Sequence, residues 1–462
     1  MATKDRAGAP PSPTLHDLAA TAGERRAAGR AARRHAPRSG LGRWDERARR
    51  HDALAIVLEQ SASRLSDVVP LRHHRMARSP WNYYRGAAAV MAADLALVPH
   101  SNLEVQLCGD AHVLNFGLWA TPERNLNFDL RDFDETLPGP FEWDVARLAA
   151  SLVVAARENG VKPSRAEGAV RAAVDAYRHR MHRYAGAHEL DIWYEGMRVE
   201  HFVKYFERAD RGQVNVFIER GKKKKTSRGA FPKLTAMAHG RPRITAQPPV
   251  RVTLTDDEQN GIVDELLAGY RDTLPEDRRS LFDRFTEADI VRQVVGVGSV
   301  GMVVYLVLFE GRSGADPLFL QCKQAGPSVY EPFLQPAAHA NHGERVIAGK
   351  RMVQTATDIF VGWGSMGGRD FYVRQYRDMK LIPSTALIAP RLVQFANACG
   401  STLARAHARS GDPLAIDAYM GTGSAFTSAM VSFAHRYADQ NDRDHAQLAE
   451  AIGRGEVPST EE

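Results

Sequence analysis

The distribution of apolar positions divides the chain into helical and strand-like stretches. Across residues 142–156, Val145, Leu148, Ala149, Leu152 and Val153 recur at the i, i+3, i+4, i+7 spacing of a buried helix face. Similar periodicity predicts helices over 46–65, 82–97, 164–184, 191–206, 256–270, 341–355, 390–409, 412–419 and 423–440. Short apolar runs predict strands at 105–107, 126–130, 302–309 and 318–323. Residues 359–363 and 371–376 predict an antiparallel pair around the glycine-bearing turn 364–368. Residues 221–249, with a lysine run, prolines and glycines, read as a flexible or extended connection. No fixed-period repeat is visible.

The chain has 462 residues, 44% hydrophobic and 25% charged, a composition suited to a soluble globular protein that buries a sizeable core. The longest apolar stretch, 87–99, is too short to span a bilayer and contains Asp94. Cys108, Cys322 and Cys399 share no metal-like spacing, which points to a reducing, cytoplasmic setting. Net charge is +6, yet the excess lies in the first fifty residues and the remainder is nearly neutral. Residues 1–45 therefore read as a basic disordered arm. Beyond that arm there is no nucleic-acid signal, because the body carries no basic surplus and no base-reading motif.

Candidate chemistry sits on two neighbouring acidic loops. Gly109-Asp110-Ala111-His112-Val113-Leu114-Asn115 follows one strand, and Asp132-Phe133-Asp134 follows the next. Asp110 could orient or deprotonate a hydroxyl, while Asn115 and Asp132 offer the oxygen ligands that magnesium prefers. His112 could bind phosphate or pack the loop, and Asp134 could assist the metal or close a turn. Far downstream, Gly296-Val297-Gly298-Ser299-Val300-Gly301 lies between strand-like runs. It lacks the Walker ending, and a strand follows it where a dinucleotide site has a helix. A glycine-rich hairpin over nucleotide phosphates is one reading, and a purely structural hairpin is the other.

The first loop resembles the catalytic loop of aminoglycoside-phosphotransferase-like kinases, and Asp132-Phe133-Asp134 resembles their metal-binding segment. The chain also resembles the bacterial DUF2252 family over roughly residues 50–450, in phrases such as 106–117, 132–148 and 368–380. The kinase resemblance implies that Asp144 braces the catalytic loop. It also implies that Gly296, Gly298, Ser299 and Gly301 cover phosphates and that Lys323 anchors the nucleotide. Glu344 is expected to hold Lys323, with Glu331 as the alternative.

The implied fold is α+β: a two-lobed protein-kinase-like arrangement, circularly permuted, with an antiparallel small-lobe sheet and a helix-rich large lobe. Its divisions are expected at 1–45 (arm), 46–285 (first large-lobe portion), 286–380 (nucleotide lobe), 381–452 (returning helices) and 453–462 (polar tail). The implied activity is ATP- and magnesium-dependent phosphoryl transfer to a small-molecule acceptor. Nucleotidyl transfer and a non-catalytic, nucleotide-responsive role are the alternatives.

Overall fold

Alternation along the later strands sorts one sheet's side chains onto two apolar faces, and that sorting decides what faces the candidate site. The computed structural model describes residues 20–224, 226–238, 240–312 and 316–461. The architecture is mixed α+β, with small antiparallel sheets beside a helix-rich core. In the first half, β1 (Glu104–Leu107) pairs with β4 (Leu137–Pro140). Between them, β2 (Phe116–Ala120) and β3 (Leu126–Leu130) form a hairpin, extended by β5 (Met197–Arg198).

A second hairpin, β6 (Thr235–Ala238) and β7 (Arg241–Ile244), precedes the six-stranded sheet. That sheet contains β8 (Arg251–Thr253), β9 (Thr286–Gln293), β10 (Val304–Glu310), β11 (Pro317–Ala325), β12 (Gly362–Met366) and β13 (Arg369–Gln375). Its order is β12-β13-β11-β10-β9-β8, antiparallel throughout.

On β10, Val307 and Phe309 join Leu320 and Cys322 of β11 and Val373 of β13 on one face, beneath Leu266, Tyr270 and Phe282. Leu306, Leu308 and Phe319 point the other way, against Ala230, Leu234 and Ile244. Strand period then carries Gln321 and Lys323 onto the Phe319 face of β11. Tyr372 and Arg374 take the corresponding face of β13, because Phe371 and Val373 are committed to the opposite core.

The helix-rich core centres on Phe141–Glu158, in which every residue from Phe141 to Ala156 is buried. Helices Pro163–Tyr184, Leu392–Ala408 and Ala425–Gly453 supply much of its surroundings. Pro163–Tyr184 and Leu392–Ala408 cross at Gly400, where an added Cβ would come within 1.9 Å of the Ala173 carbonyl oxygen.

Several expectations need correction. Residues 1–19 lie outside the described residues, but the rest of the expected arm is structured. Ala22–Ala32 is a helix with a Thr21–Glu24 capping box. Three arginines of this segment are tied down: Arg25 grips Asp412 at 2.8 and 2.9 Å, and Arg33 and Arg38 donate to the carbonyls of Tyr419 and Met420 at a helix C-terminus. Within residues 20–45, Arg25, Arg33 and Arg38 thus have fixed partners.

The expected connection at 221–249 holds the end of helix Arg211–Lys224, helix Ser227–Leu234 and the β6–β7 hairpin, because Ala230, Leu234 and Ile244 bury against the large sheet. The sheet and its cover thus begin well before residue 286. The single helix expected over 82–97 breaks at Ala87, where the Gly86 carbonyl accepts from the Arg72 guanidinium. The last helix runs on to Gly453 because its polar positions are paired, Asp444 with Arg49 and Asp439 with Arg157. The tail beyond it also packs: Val457 is buried and the Pro458 carbonyl meets His73 Nδ1 at 2.9 Å.

Gly400→Ala should cost about 1–3 kcal/mol, because the obstacle is backbone rather than a flexible side chain. Chemical denaturation checks this, and an unchanged midpoint would contradict the close crossing.

Candidate active site

Pairing of β1 with β4 sets the two acidic loops side by side, since Leu107 and Leu137 are register partners at their roots. At Gly109, φ is +85° and a Cβ would lie 2.2 Å from the Glu135 carbonyl oxygen, so only glycine permits this approach.

The helix Phe141–Glu158 holds the first loop from beneath. Asp144, buried in its first turn, accepts from the backbone N–H groups of Cys108 at 2.8 Å and Gly109 at 3.1 Å. Its carboxylate also faces His407 Nε2 at 3.2 Å, and His407 Nδ1 meets the Tyr177 hydroxyl at 2.8 Å. One turn on, Arg147 donates to Asp110 Oδ1 through Nε at 2.9 Å and its terminal nitrogen at 2.8 Å. The Arg147 guanidinium stacks 4.1 Å from the Tyr84 ring centre. Farther along, Ser151 Oγ accepts from the Val113 N–H at 2.9 Å.

Loop contacts fix the remaining acid-loop side chains. Asn115 donates to the Asp110 carbonyl at 2.5 Å, leaving its Oδ1 buried without a hydrogen-bond partner. Asp132 Oδ1 is likewise buried and unpartnered. Burial opposes ionisation of Asp132, but Lys323, Arg131, Arg374 and Lys380 together hold its carboxyl below the ordinary range. His112 Nδ1 accepts from the Leu114 N–H at 3.2 Å, and burial depresses the imidazole to about 3, so it is neutral near pH 7.

From the other side come β11 and β13. Lys323 is buried and paired with Asp134, whose second oxygen accepts from the Tyr372 hydroxyl at 2.7 Å. The β9–β10 hairpin carries the glycine segment, whose carbonyls are anchored from outside: Arg64 donates to those of Gly298 and Val300 at 2.7 and 2.5 Å, and Arg75 to Gly296 at 2.8 Å.

One cavity of about 330 Å³ is lined by Asp110, His112, Asn115, Asp132, Asp134 and Lys323 together with Gly296, Gly298 and Ser299. Segments about 180 residues apart therefore meet. Three expected residues are not in its lining. Gly301 has φ +87° and abuts Arg64. Asp144 lies behind the loop it holds.

Glu344 does not hold Lys323. It sits in the first turn of helix His342–Val353 with its N–H capped by Asn341, while Asp134 takes the lysine. The neighbouring Arg345 turns inward instead, donating to the carbonyls of Thr136, Asp134 and Gly326 at 2.6, 2.7 and 2.9 Å. Glu331 Oε1 accepts from the Ser328 N–H at 3.1 Å.

Sequence reasoning assigned no role to Arg64, Arg85, Arg131, Arg147 or Arg345. Arg147 carried the clearest available signal, since it lies three residues after Asp144 on the same helix face. From sequence, Arg369, Arg374, Arg377 and Lys380 could reach phosphate or substrate or stand as exposed hairpin charges; the last three line the cavity.

No group of three or more His, Cys, Asp or Glu side chains suited to a metal occurs among the described residues. No described helix is long and apolar enough to cross a membrane. With the geometry in view, the chain belongs to a bacterial family. That family is DUF2252, described as an uncharacterized protein conserved in bacteria, and its pattern covers residues 64–451. No curated protein and no solved structure matches the chain.

Glu142 opens the helix that carries Asp144 and Arg147. Its Oε1 accepts from the Ser101 N–H at 2.9 Å, and burial pushes the carboxyl up to about 7. The folded chain then retains a proton that the unfolded chain releases near pH 4.5. Its contribution should therefore fall as pH rises from about 4.5 to 7, by up to about 1.4 kcal/mol per unit. Glu142→Gln should flatten that slope and exceed the native chain in stability at pH 8. Parallel denaturation curves across pH would contradict it.

Proposed function

We propose that this cavity binds magnesium-ATP and transfers a phosphoryl group to a small-molecule hydroxyl, within a two-lobed, circularly permuted protein-kinase-like fold. The observation that carries this reading is the meeting of the Asp110–Asn115 loop, Asp132, Lys323 and the Gly296–Ser299 hairpin around one cavity. A glycine hairpin, a strand bearing a lysine, a helix and a further hairpin follow one another as the nucleotide-holding parts of protein kinases do. Here the acidic loops precede them in the chain. Convergence in space is the physical requirement, and order along the chain is not.

The residues fit a magnesium ion. Asn115 Oδ1 and Asp132 Oδ1 are buried oxygens without protein partners. Magnesium needs only one or two such protein ligands, with water and phosphate oxygens completing its octahedron. Lack of a three-residue cluster of His, Cys, Asp or Glu is therefore compatible with this site. When bound, the ion would neutralise charge on the phosphate oxygens.

The protein groups then have distinct tasks. Backbone N–H groups of the glycine hairpin would approach the phosphates, and Lys323 would share its charge between Asp134 and the nucleotide. Asp110, held in one orientation by Arg147, would receive the acceptor hydroxyl. The hydroxyl oxygen bonds to the terminal phosphorus, the bond from that phosphorus to the nucleoside diphosphate breaks, and the hydroxyl proton passes through Asp110 to solvent.

Calorimetry with magnesium and a non-hydrolysable ATP analogue tests this division. Lys323→Ala and Asp132→Asn should each weaken binding at least about tenfold, a loss of about 1.4 kcal/mol. Asp110→Asn should bind nucleotide within about threefold of the native chain, a change below about 1 kcal/mol, while losing transfer. Binding indifferent to all three substitutions would contradict the proposal. Product mass separates phosphate addition from nucleotidyl addition.

A further inference from the structure

We infer that the acceptor already carries a phosphate group, held by a cluster of three cations, Arg85, Arg131 and Lys380, that line the cavity beside Asp110 and Asp132. This rests on the magnesium-nucleotide reading above and names the substrate class for that site. The three cations arrive on separate segments: Arg85 in the last turn of helix Pro80–Gly86, Arg131 directly after β3, and Lys380 beyond β13. Their spatial meeting is therefore a property of the fold rather than of local composition.

They are electrostatic neighbours: Arg131 lies within reach of Arg85 and Lys380 within reach of Arg131, while Arg374, hydrogen-bonded to Gln321, neighbours both Arg131 and Lys380. Burial and the charges of Arg374 and Arg131 push the Lys380 ammonium well below its ordinary range. Arg85 has Asp110 first among its charged neighbours and His112 nearby. Its backbone lies under the glycine hairpin, since a Cβ on Gly298 would come within 3.0 Å of the Arg85 carbonyl oxygen.

Protein partners do not satisfy the cluster. Among the described residues, the side chains of Arg85 and Lys380 make no hydrogen bond or ion pair, and Arg85 Nε is buried without a partner. Arg131 spends only its Nε, on the Leu114 carbonyl at 3.0 Å. Nearby carboxylates are otherwise engaged. Asp110 is paired with Arg147, and Asp134 with Lys323 and Tyr372. Glu135, pushed up to about 7 by burial, accepts from the Val329 N–H at 2.8 Å. Asp378 and Asp358, beside Arg131 and Lys380, pair with Arg124 at 2.5 Å and with Lys350 at 3.8 Å. Asp132 remains, and it is the proposed metal ligand.

Keeping like charges together in a partly desolvated cleft is costly unless a ligand brings the opposite charge. The nucleotide has its own station at Lys323, the glycine hairpin and the metal. A second anion beside Asp110 must then belong to the molecule whose hydroxyl reacts. Two guanidiniums and an ammonium suit the several oxygens of a phosphate better than a single planar carboxylate. A polycationic acceptor such as an aminoglycoside would meet repulsion instead.

The test titrates inorganic phosphate, and malonate in a parallel arm, into full-length protein saturated with magnesium and a non-hydrolysable ATP analogue. Phosphate should bind that complex more tightly than malonate. Arg85→Gln and Lys380→Gln should each weaken phosphate at least tenfold while changing nucleotide affinity less than threefold, and Lys380→Arg should restore phosphate binding. Nucleotide affinity also reports whether each variant is folded. Failure of phosphate to bind the saturated protein, tighter binding of malonate, or equal loss of phosphate and nucleotide would overturn the inference. Failure of the native chain to bind magnesium-nucleotide at all would overturn the reading beneath it.

Discussion

The buried carboxylate of Asp144 is the constraint on which the candidate site depends. It accepts from two consecutive backbone N–H groups at Cys108 and Gly109, and so fixes the direction in which the chain leaves β1. Because Asp144 is carried by the most buried helix in the protein, the loop inherits the rigidity of the core. Arg147, one turn along that helix, then fixes the Asp110 side chain. Loop position and carboxylate orientation are thus set by one helix face.

The second half of the cavity obeys a different rule. Strand alternation commits Phe371, Val373, Leu320 and Cys322 to one apolar core and leaves Lys323, Gln321 and Arg374 on the opposite side. The glycine hairpin at the edge of this face is steadied by Arg64 and Arg75, which come from before the acidic loops. Early chain therefore braces late chain, while late chain, through Arg345 and Lys323, braces the acidic loops. This reciprocal bracing gives separated segments one shape and makes their order along the chain immaterial to the proposed chemistry.

Much of this was legible in the residues. The period of residues 142–156 located the central helix, and the short apolar runs located β1, β3, β10 and β11 to within a few residues. The motif residues Asp110, Asn115 and Asp132 were visible because loop chemistry leaves local spacing, and Lys323 because it lies in an apolar strand run. Glu344 was misjudged because helix position alone does not say which residue turns inward; Arg345, one position later, does so. The described part of the basic N-terminal segment, residues 20–45, was misread because composition registers charge but not partners, and Arg25 and Arg33 are matched to a distant carboxylate and a helix end. The cation cluster was only partly visible: Lys380 stood among the later cations that could reach phosphate, but it joins Arg85 and Arg131 only after three segments have folded together.

The most direct measurement is a crystal structure with magnesium and a non-hydrolysable ATP analogue. The account predicts phosphates between the Gly296–Ser299 hairpin and Lys323, with the ion on Asn115 Oδ1 and Asp132 and an open approach to Asp110. A nucleotide bound outside this cavity, or an ion touching neither Asn115 nor Asp132, would contradict it.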